Sequence, residues 1–430
     1  MTGLIGCCNL LDAQNTYYWV EGSGVWNDLS HWATTSGGTT KHTIVPSILD
    51  DVVFDANSFT GAGQTVTVNQ EAYCMDFTWD GVTNNPGFVA SGFNLNVDGN
   101  FQVSGGVFTY THANGNLLVS GDFLVDGVDM SFNKSGGVFS VDGNLTLANN
   151  SMSFFRTSGS LIVGGAFTMQ NLTPASFSAS SASIDVAGDF LMDNAPFAFN
   201  PGSGAVSVGG NFSIVNGATN YTHSNTLTVG GSLTLNAACT FNQLSTVIFN
   251  ATTTGKTITS AGKSFTNVRF DGAGGEWILQ DDFKATGTTD HYTGIFRSNG
   301  HEVDYGQYFD GDDGGTVRTL DYTGTDTVRV QYQYRLNTSA STVLTMGSAV
   351  LLLRTTGAIE QIIEGGGKTF GNVVIDHLNN STSSYYIRFR DNNTTYGDMS
   401  ITFNNRSRIY LKTPATPLEM YRLRTPGLKT

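Results

Sequence analysis

Apolar and polar positions alternate in short runs along the middle of the chain, and these runs recur with a fixed period. A glycine followed by a small or polar residue and then by Phe or Leu marks each repeat, at Gly99, Gly121, Gly143, Gly165, Gly188, Gly210 and Gly231. Successive marker glycines are 22, 22, 22, 23, 22 and 21 residues apart. Such a period is typical of a solenoid, in which each repeat buries its apolar face only against its neighbours.

Each repeat contains three pairs of apolar positions, and one outward residue separates the members of each pair. This alternation is the period of a strand with one buried face. Phe101 and Val103 exemplify the first strand, and Leu117 and Val119 exemplify the third. The second strand carries an aromatic column, which consists of Tyr110, Phe132, Phe154, Phe177, Phe199, Tyr221 and Phe241.

Three strands and three corners in each repeat predict one turn of a right-handed parallel β-helix, in which adjacent coils lie about 4.8 Å apart. Gly, Asn, Asp and Ser stand between the strands, and these residues tolerate left-handed or tight-turn backbone. A propeller blade needs about 40 residues, and a leucine-rich repeat needs a Leu and Asn consensus that is missing here. The sequence therefore predicts an all-β protein with an aromatic-rich N-terminal cap.

The predicted organisation has four parts. Residues 1–16 resemble the tail of an export signal, residues 17–85 form an N-terminal β cap, residues 86–250 form regular coils, and residues 251–430 form less regular coils with loop insertions. The segment Gly262–Val268 is echoed 105 residues later by Gly367–Val373, which indicates two related blocks of coils. Insertions around residues 310–315 and 379–384 are expected to form surface loops.

Charge is distributed unevenly. Residues 1–250 carry three cationic side chains against 17 acidic ones, whereas residues 251–430 carry 18 of each. An acidic body with so few Lys and Arg residues cannot neutralise phosphates, so nucleic acid is an unfavourable partner. No apolar run approaches the length of a transmembrane segment. The four cysteines show neither CxxC spacing nor a histidine at metal-binding spacing, so no disulfide framework is predicted.

Four of the five tryptophans lie between residues 17 and 80. Because the end of a solenoid exposes an open core, these rings are predicted to plug the first coil. The alternative is a carbohydrate-stacking platform, since amphipathic rings suit sugar faces. The candidate binding residues of that platform are Trp19, Trp26 and Trp32.

The regular coils contain no recognisable catalytic constellation. A polysaccharide lyase or a glycoside hydrolase needs acids on adjacent coils of one face. Asp122 and Asp189 occupy equivalent corners but are three coils apart, and His112 and His223 share another position five coils apart. No catalytic residue is therefore predicted. An enzyme site is compatible only with the part after residue 250, where four arginines are available: Arg297, Arg318, Arg329 and Arg335.

The densest acidic cluster consists of Asp304, Asp310, Asp312 and Asp313. Carboxylate oxygens are hard ligands that suit Ca²⁺, which makes this cluster the candidate metal site. Its spacing lacks the Asp-x-Asp-x-Asp-Gly pattern with a distal Glu. We therefore favour a solvated loop over a calcium site and expect no other cofactor.

Three segments resemble a known group of proteins: WVEGSGVWNDLSHWATTSGG (Trp19–Gly38), DDVVFDANSF (Asp50–Phe59) and FTNVRFDGAGGEWILQDDFKATG (Phe265–Gly287). They resemble large β-helical surface proteins of Bacteroidota. The resemblance implies a secreted adhesin-like or matrix protein exported by the type IX pathway. Members of that group usually finish with a β-sandwich sorting domain, whereas this chain ends at Pro417–Thr430 without one. We therefore expect a fragment of a longer adhesin.

Together these observations predict an extracellular or cell-surface, non-enzymatic β-solenoid that attaches to a glycan, to another surface ligand or to neighbouring copies of itself. The alternative is a carbohydrate-active enzyme, either a polysaccharide lyase or a glycoside hydrolase, or a carbohydrate-binding module on the same scaffold. Ice binding is disfavoured, because the outward residues form one column rather than a repeated Thr-x-Thr ladder. That column is Thr109, Ser131, Ser153, Ser176, Ala198, Asn220 and Thr240.

Overall fold

The computed structural model describes residues 14–173, 175–311, 317–336, 341–378, 386–391, 393–403 and 408–411. These residues are all-β and form about 15 turns of parallel β-solenoid, which confirms the predicted fold class. The chain divides into two compact units. The first runs to residue 187 and includes residues 194–204, and the second comprises residues 188–193 and continues from residue 205. The sheet faces are named first, second and third after the order of the predicted strands.

The first unit has three faces of parallel strands. Its first face consists of Thr16–Trp19, Asp51–Phe54, Phe77–Asp80, Phe101–Ser104, Phe123–Asp126, Leu145–Ala148 and Phe167–Gln170. Its second face consists of Gly24–Val25, Thr65–Val68, Gly87–Ala90, Val107–His112, Asp129–Lys134, Met152–Arg156, Ala175–Ala179 and Ala198–Gly202. Its third face consists of Ala72–Cys74, Leu95–Val97, Leu117–Val119, Val138–Val141, Ser160–Val163 and Ser183–Val186. Each strand pairs with its equivalent one coil away, so that Phe101 aligns with Phe123 and Phe123 with Leu145.

The N-terminal end of the first unit departs from the parallel pattern. The short strand Trp32–Ala33 pairs antiparallel with Thr16–Trp19, and it follows a single 3₁₀ turn at Leu29–His31. Parallel pairing is already present here, because Thr16–Trp19 also pairs with Asp51–Phe54. None of the described segments forms a helix long and apolar enough to span a membrane.

The second unit also has three faces of parallel strands, named in the same order along its own coils. Its first face consists of Phe190–Asp193, Phe212–Val215, Leu233–Leu235, Lys256–Thr259, Arg318–Asp321 and Thr342–Thr345. Its second face consists of Asn220–His223, Thr240–Gln243, Phe283–Lys284, Val303–Asp304, Thr327–Val330, Val350–Thr355, Val373–His377 and Met399–Phe403. Its third face consists of Val206–Val208, Leu227–Val229, Thr246–Phe249, Tyr308–Gly311, Gln333–Leu336, Gln361–Glu364, Tyr386–Phe389 and Arg408–Leu411. The long strands Asn267–Leu279 and Thr288–Arg297 turn a corner and contribute to the third face and then to the first.

The predicted aromatic column lies inside the solenoid as a stack of rings. In the first unit, successive ring centroids are 4.8, 4.7, 4.6 and 4.6 Å apart along Tyr110, Phe132, Phe154, Phe177 and Phe199. All five rings are buried. In the second unit, Tyr221 and Phe241 stack at 4.9 Å. Each offset-stacked pair contributes about 0.5–1.5 kcal/mol beyond the burial of its area, so the column stabilises every contact between coils that it crosses.

Stacked corners leave no room for a side chain at six of the marker glycines: Gly99, Gly121, Gly143, Gly165, Gly210 and Gly231. None of the seven has a positive φ, so left-handed backbone is the wrong reason for glycine here. A Cβ on Gly143 would lie 2.4 Å from Asp122 Oδ1 and 2.6 Å from the carbonyl oxygen of Gly121. The backbone N–H of Gly143 donates to that carbonyl at 3.0 Å, and the N–H of Asn144 donates to Asp122 Oδ1 at 2.7 Å.

Left-handed backbone does occur at the corner that follows the first-face strands. Asn149, Asn171 and Asn194 have φ values of 53°, 52° and 46°. Their side-chain amides form a ladder, in which Asn171 Nδ2 donates to Asn149 Oδ1 at 3.0 Å and Asn194 Nδ2 donates to Asn171 Oδ1 at 2.8 Å. The expected tolerance of Asn for this conformation is therefore used at this corner and not at the corner of the marker glycines.

Candidate functional site

The three tryptophans that were candidates for sugar stacking lie inside the N-terminal end of the first unit. Trp19, Trp26 and Trp32 have no exposed surface. Trp32 packs edge-on against Trp19 at 4.9 Å and against Trp26 at 5.0 Å. The indole N–H groups of Trp19 and Trp32 donate at 2.7 Å to the carbonyl oxygens of Gly22 and Trp26. This placement fills the core and argues against a sugar platform, because no ring presents a face to solvent.

The two described members of the acidic cluster lie on different faces of the second unit. Asp304 belongs to the second face, where it accepts a hydrogen bond from the N–H of Gly306 at 3.0 Å. Asp310 belongs to the third face. Asp312 and Asp313 lie outside the described residues. In the described part of the chain, no group of three or more His, Cys, Asp or Glu side chains is arranged to hold a metal ion.

The third face of the second unit carries a ladder of charged residues in register across five coils: Arg269, Asp290, Asp310, Arg335 and Glu364. Asp290 lies 3.5 Å from Arg269, and Arg335 lies 3.5 Å from Asp310 and 3.2 Å from Glu364. Burial raises the pKa of Asp290, and the neighbouring Asp310 raises it further, although Arg269 opposes both effects. Asp290 and Asp310 are thus acids on adjacent coils of one face, which the regular coils lack.

The other arginines anticipated for an enzyme site also have partners. Arg318 is buried and donates hydrogen bonds to the backbone carbonyls of His291 and Gly311. Arg297 forms ion pairs with Glu276 and with Asp321, both at 2.6 Å, and Arg329 forms one with Glu302 at 3.4 Å. The balanced charge of this part of the chain is therefore used largely in pairing between coils.

Two cations of the first unit point inward, which the sequence analysis missed. Lys134 and Arg156 are fully buried and stand in register with the buried His112. All three follow the aromatic column by two residues in their own strands. Extending the alternation of buried and outward positions by one step would have placed them in the interior.

The second face of the first unit presents two outward columns that contain no charged residue. The first consists of Thr65, Gly87, Thr109, Ser131, Ser153, Ser176 and Ala198. The second consists of Thr67, Val89, Thr111, Asn133, Phe155, Ser178 and Asn200. We call these residues the second-face surface. The expectation of a single column is wrong, but the Thr-x-Thr motif occurs in only two of these coils.

A shallow groove lies beside this surface. It encloses about 300 Å³ and is lined by Val107, Asp129, Met130, Ser131, Ser151, Met152 and Ser153. Asp129 Oδ1 accepts a hydrogen bond from the Ser151 hydroxyl at 2.5 Å. Two residues beyond Ser153, the ring of Phe155 is 38% exposed. Apolar, hydroxyl and carboxylate groups therefore occur together with an accessible ring on one face.

The two units differ in what they present to solvent. The second unit presents paired charges on its third face, whereas the first presents two uncharged columns on its second face. Comparison with known proteins adds no relative, since no protein-family model, no curated protein and no solved structure matches the chain.

Proposed function

We propose that the protein is an extracellular, non-enzymatic β-solenoid, an adhesin-like or structural segment of a bacterial surface protein, and that it attaches to a glycan through the second-face surface. The observation that carries this proposal is the pair of uncharged, in-register columns, in which most side chains carry a hydroxyl or an amide group. Parallel coils repeat these groups about every 4.8 Å. An extended ligand with repeating hydroxyl groups would meet many weak contacts at once, and such contacts add to a useful avidity.

The charge of the first unit favours a neutral glycan over an acidic one. Its three cations are Lys41, Lys134 and Arg156. The last two are buried, and Lys41 is paired with Glu21 at 2.8 Å. No cation of the second-face surface is therefore present to bind an acidic sugar. The exposed ring of Phe155 supplies the apolar face on which a neutral sugar stacks.

The test is binding of the protein to insoluble neutral polysaccharides and to a glycan array. Phe155→Ala should weaken binding to the ligand found by about tenfold, which corresponds to about 1.4 kcal/mol. The matched control is Ile162→Ala, because Ile162 is 40% exposed but lies on the third face. Absence of glycan binding by the wild-type protein, or equal loss in both variants, would contradict the proposal.

A carbohydrate-active enzyme is the second candidate, and the Asp290 and Asp310 pair is the observation that favours it. A carboxyl group with a raised pKa suits a general acid, and its neighbour suits a base or nucleophile. Both carboxylates also form ion pairs with arginines, which stabilises contacts between coils. Release of reducing or unsaturated sugars that Asp290→Asn abolishes would establish the enzyme, whereas the adhesive proposal predicts no release.

A further inference from the structure

The interior of the first unit contains a stack of basic side chains. His112, Lys134 and Arg156 align on three adjacent coils, and each is the last residue of its second-face strand. All three are fully buried. Small residues flank the stack, since Ala90 aligns with His112 and Ala179 aligns with Arg156. A buried cation costs several kcal/mol unless a counter-charge and hydrogen bonds compensate it, so the partners of these groups decide their effect.

The hydrogen-bond partners of the stack are uncharged. His112 forms two hydrogen bonds of 2.9 Å, one between Nδ1 and Tyr110 Oη and one between Nε2 and the carbonyl oxygen of Phe93. Lys134 Nζ donates to the carbonyl oxygens of Gly115 and Gly136. The Nη2 atom of Arg156 donates to three carbonyl oxygens, those of Gly137, Ser158 and Ser160. Backbone carbonyl oxygens therefore accept hydrogen bonds from Lys134 Nζ and Arg156 Nη2, but they do not neutralise the positive charge of either side chain.

Arg156 keeps donors that are not satisfied. Its Nε and Nη1 atoms are buried and have no hydrogen-bond partner. Among the described residues, no carboxylate forms an ion pair with Lys134 or Arg156. Buried polar groups without a partner are rare in folded proteins and usually indicate a water molecule or an ion. Two unsatisfied guanidinium donors beside a second cation indicate an acceptor that carries negative charge.

We propose that a monovalent anion of halide size binds inside the first unit, where it accepts hydrogen bonds from Nε and Nη1 of Arg156 and neutralises the charge that Arg156 and Lys134 share. A small anion is favoured over a larger one because all three side chains of the stack are fully buried beside the aromatic column, where the interior is closely packed. A larger oxyanion would require that packing to open. Water would satisfy the donors but leave the charge uncompensated.

The ionisation of the stack agrees with an anion site. Burial lowers the pKa of Arg156 only to about 10, so the guanidinium stays charged at neutral pH. Burial and the nearby Arg156 lower the pKa of Lys134 to about 7, and burial and Lys134 lower the pKa of His112 to about 4. A bound anion would favour the charged form of Lys134. Tyr110, whose hydroxyl contacts His112, is a further titratable group beside the stack, and burial raises its pKa.

Crystals of the wild-type protein grown in sodium bromide test the proposal directly. The expected result is an anomalous bromide peak inside the first unit, beside Arg156. Interior density that shows only water at this position, with bromide confined to the surface, would overturn the proposal. This measurement requires no variant, so it stays informative if substitutions at Arg156 prevent folding.

Halide linkage tests the same site in solution. Above its dissociation constant, each tenfold increase in bromide should slow local amide exchange in residues 129–160 about tenfold, because the anion binds only the closed coils. Arg156→Met should remove this dependence, and Lys134→Met should weaken it. Lys41→Met is the matched control, since it removes one cation of the same unit from the surface. Equal bromide dependence in the wild type and in Arg156→Met would overturn the proposal.

Discussion

Replacing Gly143 with Ala tests whether the marker glycines are needed for corner stacking. The new Cβ would lie 2.6 Å from the carbonyl oxygen of Gly121, whereas ordinary contacts begin at 3.4 Å. Relief requires the two corners to separate by about 0.8 Å, which well-packed corners resist. The shift would break the hydrogen bond from the N–H of Gly143 to that oxygen, now 3.0 Å long. It would also break the bond from the N–H of Asn144 to Asp122 Oδ1, now 2.7 Å long.

The magnitude follows from these two bonds. A neutral backbone hydrogen bond contributes about 1 kcal/mol and one to a carboxylate contributes about 1.5–3 kcal/mol. Alanine offsets about 0.4–1 kcal/mol by restricting the unfolded chain. We expect the local free energy of opening to fall by about 2–3 kcal/mol, which accelerates amide exchange about 30- to 150-fold.

Hydrogen exchange measured by mass spectrometry on peptides that span residues 117–147 provides the assay, because coils of a solenoid open locally. Gly61→Ala is the matched control: Gly61 has no heavy atom within 4 Å of a built Cβ and no positive φ. In Gly61→Ala, amide exchange in peptides around residue 61 should stay unchanged or become slower. Equal effects of the two substitutions would refute the stacking explanation. Combining Gly143→Ala with Asp122→Ala measures how much of the destabilisation comes from the clash with Asp122 Oδ1. The clash with the Gly121 carbonyl oxygen remains when Oδ1 is removed.

Three further predictions concern the interior and the ion pairs. Phe154→Ala should lower the local free energy of unfolding by about 3–5 kcal/mol, because it leaves a cavity between two rings that stack on Phe154 at 4.7 and 4.6 Å. Phe155→Ala removes an exposed ring and should have little effect on that free energy, so a comparable loss in Phe155→Ala would contradict the prediction. In halide-free buffer, the stability difference between wild type and Lys134→Met should move in favour of the wild type as the pH rises from about 7 to 10.5. This follows because the unfolded chain binds the extra proton in that window, and the change should approach about 3–5 kcal/mol; a pH-independent difference in thermal unfolding would refute it. Arg297→Met should destabilise the second unit by about 1 kcal/mol at low salt, because Arg297 bridges two carboxylates at 2.6 Å. That loss should shrink in 1 M NaCl, and a loss that is independent of salt would indicate packing rather than charge.

The strands of the regular coils were predictable because each depends on local alternation. Phe123 and Val125 alternate with outward residues, and in the structure both are buried in a strand that pairs in register with its neighbours. The role of Gly143 was not predictable from its own repeat, because the atoms that exclude a side chain there belong to the adjacent coil. A corner carbonyl one turn away is invisible to any local pattern.

The candidate site shows the same division. The sequence indicated that an acid pair was compatible only with the part after residue 250, but it did not single out Asp290 and Asp310. Their adjacency depends on how many residues each later coil contains, and those lengths vary. The alternation of inward and outward residues along the strand predicts that Lys134 and Arg156 point inward. That prediction was missed because a cation is ordinarily expected at the surface.

The sequence by itself determined the repeat, the number of strands in each repeat and the inward aromatic column, because burial every second residue and a constant period are local properties that parallel pairing preserves. Only the tertiary structure decided which residues meet across coils. It packed Trp32 against Trp19 and Trp26, placed Asp290 in register with Asp310, and stacked His112, Lys134 and Arg156. The physical reason is that contacts between coils depend on register over 20 or more residues, and a change of one residue in a coil moves a side chain to the opposite face.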